Sequence, residues 1–544
     1  MEIYLGLISA LFLSMLMMPA LIRFAGRLRL VDIPDARKSH QGAIPRVGGI
    51  AIAIGAVVPA IVWLPVEQPV AAYLVAALVI VTFGILDDRR GLDYRIKFLA
   101  QGAAAAIIVW SDVCIYHLPF SGLDAIPHYI AAPLTVIFLL AVTNAFNLLD
   151  GLDGLAAGCA IFSLAAIAAL AFVVDGGASV ALLAVGTIGA VLGFLRYNTH
   201  PAIVFMGDAG SQFLGFTIGV LAIMLMERTE NAMSPAIPLL LLGLPILDTT
   251  MVMVLRIRDG RSPFSPDRNH IHHKLLSIGF LHHEAVAIIY AVQALLVSLA
   301  FTLRFESDWL VLAAYAGICG TCVGAYLVVR GSSWRPHRID GSTPTGRLAL
   351  EARWQQRVAT MHRVAIRYIE WSVGAYFILA AMLSTNVTLD IAVVAIGVLG
   401  LAAAAAFWRG TWTLPALRLA IYVAAIIVSF LSVSSVHPEW LPVGRISLWL
   451  LTVAVAIGFV IYLTPREQFQ VTTLDLLIAL VAVGVLALPI PTVNRVMAGQ
   501  LLLRILVLLY GCELLLSQRP SRYGTIAMAV SIALLALGTA YFIE

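Results

Sequence analysis

Two amides and two carboxylates stand close together at the end of a long apolar run. They are Asn144, Asn147, Asp150 and Asp153, and a glycine follows each aspartate. Because Asn144 and Asn147 are three residues apart, they share one side of the last helical turn. Each Asp-Gly pair favours a turn, since glycine accepts positive φ and aspartate can bond to nearby backbone. The pattern predicts a short loop that presents several oxygen ligands.

A second pair of carboxylates, Asp87 and Asp88, ends another apolar run. Lys97 and Gln101 follow at the start of the next run, and their spacing of four places both on one helix face, from which we expect them to point back at the carboxylates. Adjacent carboxylates repel each other unless a cation offsets them. A solvated charge pair at a helix end is the alternative interpretation.

Asp208 lies at the predicted start of a further helix, with Gly207, Gly210 and Ser211 around it. Backbone N–H groups at a helix start suit phosphate, and a carboxylate there suits a hard metal ion. An aspartate that only caps the helix is the alternative.

Three histidines, His270, His272 and His273, form a fourth polar motif. Histidines this close can indicate zinc, but no cysteine accompanies them, and the cations Arg268 and Lys274 disfavour a metal site. A diphosphate site fits these residues better.

The first predicted loop carries Lys38 and His40, which could hold phosphate oxygens or anchor the loop at anionic lipid. Taken with the aspartates and the histidine motif, this loop completes a set of hard oxygen ligands and cationic groups. Such a set is typical of magnesium-assisted chemistry on a phosphate ester.

The composition excludes a soluble globular enzyme and a disordered chain. Of 544 residues, 61% are hydrophobic and 12% charged, and the mean hydropathy is +0.97, so we predict an all-α polytopic membrane protein. Runs long enough to span a bilayer lie near 3–22, 48–64, 70–86, 98–116, 125–143, 155–174, 179–195, 211–227, 236–255, 284–303 and 309–329. Seven more follow near 371–387, 389–407, 417–434, 446–463, 473–490, 496–516 and 523–541.

Basic residues are distributed unevenly among the loops that connect the first eleven spans. The loops after the odd-numbered spans hold 24 lysines and arginines, whereas the alternate loops hold two, Arg228 and Arg304. The positive-inside rule therefore predicts that the odd loops are cytoplasmic and the N-terminus is outside. All the polar motifs above then lie on the cytoplasmic face.

These motifs resemble the polyprenyl-phosphate N-acetylhexosamine-1-phosphate transferase family, bacterial glycosyltransferase family 4, and within it the undecaprenyl-phosphate GlcNAc-1-phosphate transferase-like branch. The family includes initiators of O-antigen and teichoic acid synthesis and the translocase that makes the first peptidoglycan lipid intermediate. The resemblance covers about residues 1–330. It consists of Asp87-Asp88 with Lys97 and Gln101, Asn144-x-x-Asn-x-x-Asp-Gly-x-Asp-Gly, Asn198-x-x-Pro-Ala, Phe205-Met-Gly-Asp-x-Gly-Ser and His270-x-His-His.

The resemblance implies that a membrane-embedded undecaprenyl (polyprenyl) phosphate attacks the β-phosphorus of a UDP-N-acetylhexosamine. The products are polyprenyl-diphospho-sugar and UMP, with Mg²⁺ or Mn²⁺ as cofactor. The implied setting is the bacterial inner membrane, with cell-wall or lipopolysaccharide synthesis downstream.

The family also implies roles for individual residues. Asp208 resembles the main metal ligand, with Asp150 beside it, and Asp87 would orient or deprotonate the lipid phosphate. The other positions implied in catalysis are Asp88, Lys97, Asn147, Asp150 and Asp153. Those implied in substrate binding are Asn144, Asn198, Phe205, Arg268, His270, His272, His273, Lys38 and His40, and Phe205 is suited to stacking on uracil.

The histidine motif also bears on the choice of sugar. The peptidoglycan branch has three consecutive histidines followed by an acidic residue, whereas here an isoleucine separates His270 from His272 and Lys274 follows His273. The order resembles the simple-sugar branch. UDP-GlcNAc or a related UDP-N-acetylhexosamine is therefore favoured over the muramoyl-pentapeptide nucleotide, which remains the alternative donor.

We predict three parts in the chain: a transferase core at 1–330, a basic cytoplasmic linker at 331–370, and a transmembrane extension at 371–544. The linker is expected to form either an amphipathic surface helix or a solvated connection. Arg504 lies inside a predicted span of the extension, where a charge is costly and often functional. It can also pair within the bundle.

Two other classes of protein compete with the transferase. A transporter or lipid flippase would place ionisable residues at mid-membrane, and Asp248 is the clearest candidate in the first eleven spans. A catalytically inactive scaffold is the third possibility, although no motif position is missing. Partners beyond lipid, nucleotide and membrane are a second copy of the chain and downstream glycan-assembly proteins, and no nucleic acid is expected.

Overall fold

The computed structural model describes thirteen stretches of the chain. Within them the chain forms nineteen helices and two short strands. The described residues are 2–32, 42–64, 67–119, 125–174, 176–227, 233–262, 270–331, 348–384, 387–407, 413–434, 443–463, 495–518 and 523–543. Those up to residue 331 belong to one compact unit and those from residue 348 onward to a second.

The first unit contains thirteen helices and a small hairpin among its described residues. The strands β1 (Val31–Asp32) and β2 (Ile44–Pro45) pair antiparallel. The helices are α1 Glu2–Leu28, α2 Gly48–Trp63, α3 Gln68–Arg90, α4 Tyr94–Trp110, α5 His128–Leu149, α6 Leu155–Ala171, α7 Ala178–Asn198, α8 Gly207–Glu227, α9 Ile237–Leu241, α10 Gly243–Arg258, α11 Ile271–Ile278, α12 His282–Thr302 and α13 Asp308–Gly331.

Each of the first eleven predicted spans coincides with a helix, and the ninth is divided into α9 and α10. Eight helices of the described residues are long and apolar enough to cross a membrane. The predicted class is confirmed: the chain is an all-α, multi-pass membrane protein.

The break between α9 and α10 lies at Leu242, inside the apolar part of the unit. The carbonyl of Leu241 accepts hydrogen bonds from Ser163 Oγ at 2.8 Å and from Gln293 Nε2 at 3.0 Å. An unpaired carbonyl is costly in an apolar environment. Buried side chains of α6 and α12 therefore satisfy the backbone that the break releases.

Helix α8 lies at the centre of the first unit, and 94% of its most apolar stretch is buried. Glycines allow neighbouring helices to approach its first turn closely. A Cβ added at Gly49 of α2 would lie 2.2 Å from the backbone nitrogen of Gly210, and one added at Gly84 of α3 would lie 2.5 Å from Ala209 Cα. Because such separations are sterically forbidden, only glycine fits at both positions.

The second unit is a separate helical bundle with its own apolar core. From Leu348 onward, the predicted basic linker at 331–370 and the span that follows it belong to one continuous helix of 35 residues, α14. The predicted span near 473–490 lies outside the described residues. The helices are α14 Leu348–Met382, α15 Leu389–Phe407, α16 Thr413–Ser434, α17 Val443–Leu463, α18 Arg495–Gln518 and α19 Tyr523–Ile543.

Candidate functional site

Lys97 joins two aspartates from different helices. Its Nζ forms an ion pair with Asp87 at the end of α3 and donates to Asp208 Oδ2, 3.0 Å away at the start of α8. Asp87 is only 5% exposed and also accepts a hydrogen bond from the N–H of Leu92 at 2.7 Å. The ammonium thus offsets part of the repulsion between two carboxylates that the fold brings together.

Asp88 caps helix α8. Its two carboxylate oxygens accept the backbone N–H groups of Asp208 at 2.9 Å and of Ala209 at 3.0 Å. Gly207 has φ +70°, and a Cβ there would lie 2.5 Å from Asp88 Oδ2. The sequence left open that Asp208 is itself the cap, but Asp88 of α3 fills that role, and the Asp208 side chain faces Lys97.

Asn147 completes the surroundings of Asp208. Its amide nitrogen donates to Asp208 Oδ1 at 3.0 Å and to Ser211 Oγ at 2.9 Å. Lys97 and Asn147 therefore donate to different oxygens of the same carboxylate. This carboxylate stays partly accessible, with 31% of its side chain exposed.

Gln101 does not face the carboxylates, and this part of the prediction is wrong. It donates to Gln212 Oε1 at 3.0 Å and accepts from Asn144 Nδ2 at 2.7 Å. Asn144 also donates to the carbonyl of Leu140. One helical turn beyond Lys97, the contacts between helices are therefore made by amides and not by charged groups. These amide hydrogen bonds connect α4, α5 and α8.

Asp150 follows α5 directly and begins the predicted ligand loop. Burial, together with the nearby negative charges of Asp208 and Asp88, raises its pKa to about 7. Three carboxylates thus influence one another where three separate parts of the chain meet. Such a concentration of negative charge suits a divalent cation or a cationic partner.

Asp153 is held at the other end of the same loop. Its Oδ2 binds His200 Nδ1 at 2.7 Å and accepts the N–H of Ala202 at 3.1 Å. Burial alone would raise the pKa of Asp153, but these hydrogen bonds outweigh burial and lower it. The ligand atoms of Asp153, His200 and His282 lie within 4.8 Å of one another, and the two imidazoles are stacked at 4.1 Å.

Asn198, the last residue of α7, forms hydrogen bonds that hold the ligand loop in place. It is 4% exposed, accepts the N–H of Gly154 at 2.8 Å and donates to the carbonyl of Val204 at 2.8 Å. Gly154 has φ +78°, in agreement with the turn expected at the second Asp-Gly pair. In this arrangement Asn198 positions the loop through backbone contacts.

His270 and His272 are both buried next to the loop. His270 Nδ1 lies 2.9 Å from Asp248 Oδ2, and the N–H of Ile271 donates to Asp248 Oδ1 at 2.7 Å. Asp248, considered above for a transporter, therefore positions the histidine motif. His273 is partly exposed, and its ring centroid lies 4.2 Å from that of His272.

His272 lies directly against the ligand loop. It is 2% exposed, neither ring nitrogen has a hydrogen-bond partner, and a Cβ at Gly151 would lie 2.2 Å from its Nε2. Burial, reinforced by the charge of His273, lowers the pKa of His272 to about 4. A neutral imidazole with two unsatisfied nitrogens is suited to a polar ligand.

Phe205 stands between the first loop and α8. Its N–H donates to the carbonyl of Pro45, and its own carbonyl accepts the N–H of Gly48 at 3.0 Å. Arg46 next to this pairing forms an ion pair with Asp32. The predicted ligands Lys38, His40 and Arg268 lie outside the described residues.

Comparisons with known proteins agree with this geometry. The model of glycosyl transferase family 4 matches residues 70–226. The chain is 37% identical over 313 residues to a probable undecaprenyl-phosphate N-acetylglucosaminyl 1-phosphate transferase of Bacillus subtilis (strain 168), covering 57% of this chain and 87% of the relative. It is 34% identical over 303 residues to the undecaprenyl-phosphate alpha-N-acetylglucosaminyl 1-phosphate transferase of Escherichia coli (strain K12), covering 54% and 82%.

A third relative acts on a different prenyl chain according to its name. It is the decaprenyl-phosphate N-acetylglucosaminephosphotransferase of Mycobacterium tuberculosis (strain ATCC 25618 / H37Rv), 36% identical over 299 residues that cover 49% of this chain and 74% of the relative. The chain belongs to glycosyl transferase family 4.

The predicted resemblance to the polyprenyl-phosphate N-acetylhexosamine-1-phosphate transferases is thereby confirmed. As a member of glycosyl transferase family 4, the chain is a membrane enzyme that transfers a sugar phosphate to polyprenyl phosphate. The roles of individual residues stay predictions. Those that the structure brings into direct contact around Asp208 are Asp87, Asp88, Lys97 and Asn147.

Three residues that position this site were not predicted from the sequence to do so. His200 and His282 hold Asp153 and its loop, and Asp248 holds His270. His200 lies inside the recognised Asn198-x-x-Pro-Ala motif, so its position was a usable signal. Nothing local to Asp248 indicated that its partner would lie 22 residues further along the chain.

Proposed function

We propose that this enzyme transfers N-acetylglucosamine 1-phosphate from UDP-N-acetylglucosamine to polyprenyl phosphate and releases UMP, as the first membrane step of cell-envelope polysaccharide synthesis. The observation that carries the proposal is the bridge from Lys97 to Asp87 and Asp208. This bridge brings two carboxylates and an ammonium group together at adjoining helix ends, where they can bind a metal ion and exchange a proton. The relatives' names, which specify N-acetylglucosamine, support the choice of sugar.

The chain's own residues supply the acceptor half of the reaction. Lys97 holds the Asp87 carboxylate in place, so Asp87 can orient the phosphate of the lipid and accept its remaining proton. The second phosphate pKa is near 6, so little base strength is required at neutral pH. A phosphate oxygen then attacks the β-phosphorus of the donor, the bond from that phosphorus to the bridging oxygen breaks, and UMP leaves.

Asp208, with Asp150 nearby, fits Mg²⁺. Mg²⁺ prefers hard oxygen ligands and usually takes one or two carboxylates together with substrate phosphates and water. The Asp208 carboxylate is partly exposed, and the charges of Asp208, Asp88 and Asp150 influence one another. When bound, the ion would neutralise charge on the donor diphosphate, while Asn147 keeps the carboxylate of Asp208 in a fixed orientation.

The histidine motif and the ligand loop fit the donor side. His272 is neutral and has two unsatisfied ring nitrogens, so it can donate to a diphosphate or sugar oxygen without bringing a positive charge. The distribution of basic residues among the loops supports a site on the cytoplasmic face of the bacterial inner membrane, where a nucleotide sugar is available. Catalysis then consists of positioning and charge neutralisation.

UMP release tests the proposal. Purified protein would receive undecaprenyl phosphate, Mg²⁺ and, separately, UDP-GlcNAc, UDP-GalNAc or the muramoyl-pentapeptide nucleotide. We expect lipid-dependent release with UDP-GlcNAc, abolished by EDTA and by Asp208→Asn. The matched control Asp259→Asn changes an aspartate at the end of α10 that pairs with exposed Arg261 and should retain activity. Release with the pentapeptide nucleotide alone would contradict the choice of sugar, and metal-independent release would contradict the role of Mg²⁺.

We also propose that residues 1–330 are sufficient for the reaction. The described residues of that range belong to one compact unit and contain every contact of the site given above. A chain ending after Arg330 should therefore retain UMP release. An inactive truncated protein that is monodisperse and unfolds cooperatively would contradict this division.

A further inference from the structure

The second unit buries an arginine inside its helical bundle. Arg504, the tenth residue of α18, has 0% exposure. Its Nη1 donates to Ser432 Oγ of α16 at 2.5 Å. Its Nε and Nη2 have no hydrogen-bond partner, and the part of the chain that the structure describes provides no ion pair for it.

Two further polar atoms beside Arg504 are also unsatisfied. Tyr376 of α14 is 2% exposed and Ser429 of α16 is 0% exposed, and neither hydroxyl has a hydrogen-bond partner. The Tyr376 hydroxyl adjoins Arg504, Ser429 and Ser432. Four unsatisfied donors from three helices thus lie together, two on the guanidinium of Arg504 and two on the neighbouring hydroxyls.

A bare charge at this position would be costly. Burying an uncompensated ion is unfavourable even after the surroundings relax, and ionisable groups within membrane bundles usually mark a binding site or pathway. The nearest described acid along α18 is Glu513, which already binds Arg418 and Tyr422. The missing partner is therefore an anion, and the described part of the bundle does not provide it.

The unsatisfied atoms suit one class of anion. Nε and Nη2 form the edge of a guanidinium that donates two parallel hydrogen bonds to an oxyanion. The hydroxyls of Tyr376 and Ser429 add donors from two other helices, so the set is three-dimensional and matches a tetrahedral anion better than a planar carboxylate. We propose that Arg504, Tyr376 and Ser429 form a binding site for a phosphate group within the second unit.

The site lies closer to one end of the bundle than to the other. Tyr376 and Ser429 lie near the C-terminal ends of α14 and α16, and Arg504 follows the start of α18. At 1.5 Å per residue, all three are about 8–14 Å from the same side of the bundle. The phosphate can therefore belong to a lipid headgroup or be free in solution.

Binding to the full-length protein distinguishes these sources. In detergent, radiolabelled inorganic phosphate would be titrated against the protein. In a second arm, native mass spectrometry would count phosphatidylglycerol molecules retained from mixed phosphatidylglycerol and phosphatidylcholine vesicles. Saturable binding in either arm supports the site and shows whether the bound phosphate is free or belongs to a lipid. We expect R504Q to weaken that binding at least tenfold, and Y376F or S429A to weaken it severalfold.

R445Q is the matched control, because Arg445 is an exposed arginine of the same unit, and it should bind like the wild type. If R504Q does not fold, Y376F and S429A carry the test alone. No saturable binding in either arm, or binding that is equal in wild type and in all three variants, would overturn the proposal. Because the site lies in the second unit, its failure would leave UMP release by the first unit unaffected.

Discussion

Asp88 and Asp208 are 120 residues apart, yet the carboxylate of the first accepts the backbone N–H of the second at 2.9 Å. The same carboxylate accepts the next N–H, of Ala209. The positive end of α8 is thereby neutralised by a neighbouring helix. The side chain of Asp208 does not fold back as a cap and remains directed at Lys97 and Asn147.

Asp88→Asn should damage this arrangement. An amide has one acceptor oxygen and would bring an N–H₂ group against a backbone N–H, which leaves a buried donor unpaired at a cost of about 1–3 kcal/mol. We expect a lower unfolding temperature and at least a tenfold loss of UMP release. Asp93→Asn is the control, because Asp93 caps the exposed start of α4 and asparagine caps equally well. Equal behaviour of the two variants would contradict the assigned role of Asp88.

Lys97→Met should reduce activity by about 10²-fold or more, as expected when a group that organises charge at a reaction centre is lost. The substitution leaves Asp87 and Asp208 without the ammonium between them. Initial rates of UMP release at saturating substrate measure the effect. The neighbouring exposed Arg95, changed to Gln, removes a positive charge from the same helix turn and should change the rate less than twofold. A fully active Lys97→Met protein would remove the bridge from the mechanism.

Gly151→Ala tests the contact between the ligand loop and the histidine motif. The new methyl group would lie 2.2 Å from His272 Nε2, so the loop or the imidazole must move. We expect at least a tenfold loss of activity with helix content unchanged by circular dichroism. Gly102→Ala is the control, since a Cβ there meets nothing within 4 Å and alanine favours a helix interior by about 0.5–1 kcal/mol. An active Gly151→Ala enzyme would show that this contact is dispensable.

His272 should make the protein sensitive to acid. Its folded-state pKa, about 4, lies below the unfolded value of about 6.5. Between these values the unfolded chain binds more protons, so stability is lost as the pH falls from 6.5 towards 4, by about 3 kcal/mol for the full interval. Thermal unfolding at several pH values in one detergent measures this slope.

The variant His272→Gln should show a shallower loss of unfolding temperature on acidification. His283→Gln, which removes an exposed histidine next to His282, should match the wild type. Parallel acid profiles for wild type and His272→Gln would contradict a neutral, buried His272.

The sequence predicted the helical class and the first eleven spans, because apolar runs of membrane length are a direct physical signature. It also predicted that Lys97 faces the carboxylates. Helical periodicity alone cannot say which neighbouring helix a face will meet, and Gln101 shows this limit. Gln101 shares a helix face with Lys97 but lies one turn further along α4, where its hydrogen-bond partners are Gln212 and Asn144.

The division of the ninth span was also not predictable from hydropathy. Residues on both sides of Leu242 are apolar, so the run reads as continuous. The break is stabilised by Ser163 and Gln293, which lie on two other helices. Only the folded arrangement reveals that these two buried polar side chains share the Leu241 carbonyl as a partner.

The glycine contacts at Gly49 and Gly84 have a mechanical consequence. Two helices contact the first turn of α8 backbone to backbone. Because no side chain separates the backbones at these two contacts, the turn cannot move towards either helix. Asp208, which lies in this turn, is therefore held closely in position. We therefore expect the position of Asp208 to change little when a substrate binds.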